Sequence, residues 1–155
     1  MLTWTQAATA ACALAAIWYD VRYRRAPNGL VVLTAALAAV LLLVSQPLWP
    51  GLTWPMAVLA ALAGLAVFLL FYALGWMGAG DAKFFAVTGL LAGPFGLGIV
   101  WLVASLLGGV HAVAITVRGR PAQAARRRGI PYAAYMGCGI LLLLWLRPGI
   151  EAAQQ

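Results

Sequence analysis

Charge is scarce in this 155-residue chain: 8% of its residues are Asp, Glu, Lys or Arg, and only three are acids. A soluble domain carries about 25% charged residues and about 45–50% apolar ones. Here the apolar share is 65% and the mean hydropathy is +0.97. A core of this size cannot hide so much apolar surface, which excludes a soluble globular domain and a disordered chain alike. Cysteine is nearly absent. Cys12 and Cys138 each lie alone in an apolar run, so no zinc site or disulfide framework is indicated and both read as small buried hydrophobes. The single histidine, His111, has no second histidine and no nearby acid in sequence. That favours a packed, hydrogen-bonded side chain over a metal ligand or proton relay. Ten-residue stretches of alternating polarity are missing too, and with them the pattern of a transmembrane barrel.

What the chain has instead is apolar runs punctuated by Pro and Gly. Six candidate spans follow: Leu2 to Tyr19, Gly29 to Ser45, Pro55 to Trp76, Ala82 to Leu91, Gly96 to Val117, and Tyr132 to Leu146. The fourth is too short to cross a bilayer unaided; it either extends toward Pro94 or lies partly inside the bundle. The first span is rich in alanine, and small residues let helices approach closely in lipid. Its positive charges come after the apolar run rather than before it, unlike a cleavable signal peptide. The expectation is an all-α membrane protein, a single bundle of six transmembrane helices over residues 1–155.

The basic residues fix an orientation. Arg22, Arg24 and Arg25 follow the first span, Lys83 the third, and Arg118, Arg120, Arg126, Arg127 and Arg128 the fifth. Six alternating spans put all nine on one side and only Arg147 on the other, which makes the basic side cytoplasmic and leaves both termini outside. The net charge of +7 therefore reads as topology and contact with anionic lipid. No basic face with interleaved stacking aromatics exists, so nucleic acid is not an expected partner.

Two of the three acids carry chemistry. Glu151 lies in a polar tail, but Asp20 ends the first span and Asp81 stands where the third meets the fourth. An acid within a span is costly, and the topology brings both near the cytoplasmic face. Two adjacent carboxylates repel and tend to share one proton. One then serves as general base on a water while the other, protonated, polarises a peptide carbonyl. No metal or organic cofactor is needed. Gly78 and Gly80 precede Asp81, and glycine there permits an opened backbone and close approach of another chain. The structural alternative is a tight loop in which Asp81 caps the fourth helix. Asn28, after Pro27 and before an apolar run, is expected to cap the second helix.

The run Gly78-Ala79-Gly80-Asp81-Ala82-Lys83 resembles the GxGD signature, followed by x-Lys, of the type IV prepilin peptidases. The segment from Tyr19 to Leu30 resembles that family's first aspartate motif. The segment from Arg126 to Gly139 resembles its late basic loop, with Ile-Pro opening the last helix. The resemblance implies an intramembrane aspartic endopeptidase that cuts the basic leader from prepilins or pseudopilins at the cytoplasmic face of the inner membrane. It carries the catalytic pair onto Asp20 and Asp81, the signature glycines onto Gly78 and Gly80, and recurrent motif positions onto Lys83 and Asn28. Two departures are Ala26, where larger members often have Ile, and Ala134, where many have Pro. Larger members also carry paired CxxC motifs linked to N-methylation; this sequence has none, so cleavage without methylation is expected, as in short peptidases of tight-adherence (Flp-type) pilus systems.

Two rival classes remain on sequence grounds. A small ion- or proton-coupled transporter would place acids near the bilayer midplane and often shows paired repeats, neither of which is seen here. A non-enzymatic pilus or secretion assembly subunit would use both aspartates as caps and tolerate their replacement by Asn.

Overall fold

Residues 3–44, 47–118 and 131–153 are described in a computed structural model of the chain. They form five helices: α1 (Trp4–Tyr23), α2 (Asn28–Leu43), α3 (Trp54–Ala73), α4 (Ala79–Val117) and α5 (Tyr132–Ala153). No strand occurs among the described residues. The protein is thus an all-helical membrane protein, with α3 and α4 each long and apolar enough to cross a bilayer. The basic run Arg126–Arg128, with Arg120, lies outside the described residues.

Local chemistry sets the helix ends. Thr3 opens α1 with a capping box: its Oγ1 accepts the Gln6 N–H, and the Gln6 side chain accepts the Thr3 N–H. α1 then runs one turn beyond the expected end at Tyr19 and closes at Arg24, which adopts the left-handed conformation. Thr53 and Pro55 start α3, the proline sitting where a missing N–H costs nothing. α3 closes in a Schellman turn. The Trp76 N–H reaches the Phe71 carbonyl, the Gly75 N–H reaches that of Tyr72, and Gly75 takes the positive φ that the turn requires. The Trp76 ring stacks on Phe71, the apolar contact that accompanies such turns. Trp76 thus lies past the helix, three residues beyond its end, rather than in a span.

The expected fourth and fifth spans belong to one helix, α4. It is interrupted at a single residue, Gly93 (φ 67°, ψ −173°), directly before Pro94. Proline disfavours a helical residue before it, and glycine alone accepts this backbone cheaply. The two halves therefore meet at a sharp break with no loop between them. The last helix also runs longer than expected, through Pro148 to Ala153.

Packing gathers all five helices on one buried cluster, including Ala13 and Ala16 of α1, Leu41 of α2, Phe68 of α3, Phe84 and Val100 of α4, and Met136 and Ile140 of α5. α4 packs against α2, α3 and α5, while α5 also packs on α1. Small residues make this possible. A Cβ at Gly137 of α5 would stand 2.8 Å from the Ala13 carbonyl oxygen of α1, so those backbones nearly touch. That contact brings the start of α5 beside the end of α1, where Asp20 lies.

Candidate active site

The Schellman turn after α3 delivers the chain to Gly78, the N-cap of α4, in extended conformation (φ −81°, ψ 150°). Asp81 follows at the third helical position. Its Oδ2 accepts the Gly78 N–H at 3.3 Å, so it satisfies one donor at its own helix start and favours the positive end of the helix dipole. The capping alternative is therefore real, but it occupies only one side of the carboxylate. Contrary to the expected opened backbone, Gly80 is helical. Its lack of a side chain serves a different contact: a Cβ there would stand 3.2 Å from the Ala26 carbonyl oxygen. The chain that approaches Gly80 is the turn between α1 and α2 of the protein itself.

Asp20 lies in the last turn of α1, and its backbone carbonyl closes the helix by accepting the Arg24 N–H at 2.9 Å. Its side chain is 3% exposed. Oδ2 accepts the Ala134 N–H at 2.9 Å, a bond across 114 positions of sequence. The Arg24 guanidinium and the Ala133 N–H also act on it. Buried carboxylates need such partners.

Asp20 is bonded to the first turn of α5, and Asp81 lies within electrostatic reach of it. Asp81 feels the like charge of Asp20, and the Ala133 N–H acts on both carboxylates. Three helix ends thus converge: the C-terminal turn of α1 and the N-terminal turns of α4 and α5. Tyr132, the first residue of α5, lies within electrostatic reach of Asp81; its hydroxyl pairs with Ser105 at 3.0 Å and its ring packs on Phe68. A cavity of about 460 Å³, lined by Tyr19, Tyr23, Arg25, Ala26, Pro27 and Asn28, opens beside the contact between Gly80 and Ala26.

Lys83 and Asn28 bind each other: Lys83 Nζ donates to Asn28 Oδ1 at 3.3 Å. The expected cap at Asn28 is not formed. Pro27 holds the N-cap position of α2 with no side-chain bond, and Asn28 stands one place inside the helix. Its amide is therefore free for a tertiary partner. His111 is the packed, hydrogen-bonded histidine that its isolation suggests, with Nδ1 against the Tyr135 hydroxyl. Cys12 is buried, Cys138 is half-buried, and both are free thiols. Among the described residues no group of three or more His, Cys, Asp or Glu side chains gathers to hold a metal.

Sequence reasoning missed the backbone donors of Ala133 and Ala134. Their only signal was Pro131 before an apolar run, which marks a helix start and hence free N–H groups.

No solved structure matches the chain. A curated relative, "Prepilin leader peptidase/N-methyltransferase" of Bacillus subtilis (strain 168), is 28% identical over 125 residues. The match covers 79% of this chain and 48% of the relative, so the chain spans about half of that protein's length. The sequence profile of the type IV leader peptidase family matches residues 7–113, a stretch that includes Asp20, Asp81 and the residues that hold them, apart from those of α5. The chain belongs to the type IV leader peptidase family.

Proposed function

We propose that the protein is an aspartic endopeptidase whose catalytic pair is Asp20 and Asp81. Its substrates are the basic leaders of type IV prepilins or pseudopilins, with Flp-type pilins the favoured class. The observation that carries this reading is that two scarce carboxylates lie within each other's field at the start of α5, one of them buried and bonded to the Ala134 N–H. A purely structural pair would gain nothing from being placed together, because like charges oppose each other. In the reaction one carboxylate takes a proton from water as the water oxygen attacks the scissile carbonyl. The other gives its proton to the carbonyl oxygen. Collapse of the diol then returns a proton to the leaving nitrogen.

The same reading takes the chain as six spans, with α4 divided at Gly93, and sets Asp20, Asp81, Lys83 and every arginine but Arg147 at the cytoplasmic face of the inner membrane, both termini opposite. A prepilin presents a basic leader there, and its apolar helix packs laterally on the bundle. The basic loops face anionic lipid. The relative's name joins two activities; our reading is cleavage without methylation, supported by the lack of any CxxC pair in these 155 residues.

The test is co-expression with candidate Flp-type prepilins, comparing wild type with Asp20→Asn and Asp81→Asn. Loss of the leader with wild type, and full-length prepilin with each variant that still inserts, is the expected result. The hydrogen bond from Gly78 to Asp81 favours one rival, an assembly subunit with the aspartates as caps. Cleavage that survives both substitutions would establish that the pair is not catalytic.

A further inference from the structure

The two carboxylates are held unequally. Asp81 bonds to the N-cap of its own helix at an exposed edge, at 3.3 Å. Asp20 bonds at 2.9 Å inside the protein to the first turn of a different helix. Ala134 is the third residue of α5, and the first backbone bond of that helix runs from the Tyr135 N–H to the Pro131 carbonyl. The Ala134 N–H therefore lies in the turn whose donors have no helical acceptor, and Asp20 supplies one. An N–H donor bonds more strongly to a carboxylate than to a carboxylic acid, and the positive end of α5 adds to that preference.

Resting on the catalytic reading above, we propose that the Ala134 N–H is a positioning group that keeps Asp20 as the ionised, proton-accepting member of the pair and leaves Asp81 to carry the shared proton. Burial works against a charge on Asp20, and the division rests on the groups that offset it. Beside the Ala134 N–H, Arg24 at the C-cap of α1 favours a charge at Asp20, Asp81 from α4 opposes a second negative charge, and the Tyr135 phenol of α5 lies nearby. α2, which also packs on α1, has no titratable side chain. In the reaction the water proton passes to Asp20 as the C–O bond forms, while the Asp81 proton passes to the carbonyl oxygen. Asp20 then gives its proton to the amine as the C–N bond breaks, and Asp81 recovers one from the diol.

The experiment is the pH profile of leader cleavage by Ala134→Pro. Proline in the first helical turn removes this donor and no helical hydrogen bond. The expected result is an acid limb moved upward by about one pH unit, in line with loss of a bond to a charged acceptor, and an alkaline limb left in place. An unmoved acid limb would overturn the proposal. Movement of the alkaline limb instead would assign the shared proton to Asp20 and also overturn it. Should the proline variant not insert, replacement of Ala134 by lactate, an ester in place of the amide, removes the same N–H without the ring and is read by the same two limbs. The outcomes separate from those of the catalytic reading. Inactive Asp20→Asn and Asp81→Asn with unmoved limbs sink this inference alone; active ones sink both.

Discussion

Lys83 and Asn28 are hydrogen-bonded across 55 positions of sequence, Nζ to Oδ1 at 3.3 Å, and so clamp the second turn of α4 to the first turn of α2. The bond lies at the surface beside the candidate pair. Exposed hydrogen bonds contribute modestly, and loss of this one is expected to cost about 0.5–1 kcal/mol. A double-mutant cycle of Asn28→Ala and Lys83→Ala, read by thermal unfolding in detergent, should return a coupling of about 0.5 kcal/mol. A coupling of zero would mean that the clamp does not hold the two helices.

Gly80→Ala separates positioning from stability. Alanine is the better helix former by about 1 kcal/mol, and an exposed first-turn site would normally gain from the change. Here the new Cβ stands 3.2 Å from the Ala26 carbonyl oxygen, so α4 must move away from the α1–α2 turn by a few tenths of an ångström. Asp81 is the next residue and moves with it. Cleavage is expected to fall about tenfold or more, because small misplacements of reacting groups are costly, while the melting temperature stays within a few degrees. Full activity in this variant would show that the contact has slack.

The two aspartates stand out in the sequence because acids are few and costly in an apolar chain, and the residues around them resemble the family's motifs. Their partners stand out less. Ala134 contributes a backbone N–H, which every residue but proline owns, so residue type carries no trace of it. Asparagine favours the cap position, so the sequence points Asn28 to a place it does not hold. Pro27 takes the place instead, and Lys83, the partner that decides the side chain's direction, is far away in sequence. The end of α1 was misplaced for a similar reason. Apolar character stops near Tyr19, but backbone bonding continues until Arg24 turns left-handed. Gly93 and Pro94 mark the break in α4, yet nothing in their identities says that one residue suffices between the spans that end at Leu91 and begin at Gly96.

His111 and the Tyr135 hydroxyl form a polar pair between α4 and α5. Interhelical bonds of this kind contribute about 0.6 kcal/mol on average in a membrane protein and at most about 1.7. His111→Leu is expected to lower stability within that range and to leave leader cleavage within about threefold of wild type. A folded variant that loses cleavage would instead make the pair a proton path, since Tyr135 lies within electrostatic reach of Asp20.

Gly93 leaves little room for a side chain. Its backbone (φ 67°, ψ −173°) belongs to a region that is essentially reserved for glycine, and a side chain there would run into Leu52. Gly93→Ala therefore combines a backbone cost of about 1–3 kcal/mol with a steric one. The two are separable. Leu52→Ala opens the space beside Gly93 but leaves the dihedral angles as they are. The double variant Gly93→Ala with Leu52→Ala should accordingly be more stable than the two single losses sum to, yet remain below Leu52→Ala alone by the backbone cost. Thermal unfolding of the four proteins measures both parts. If Gly93→Ala costs nothing beside Leu52→Ala, α4 has straightened through Gly93 and Pro94, and the break is a preference of packing rather than of the backbone.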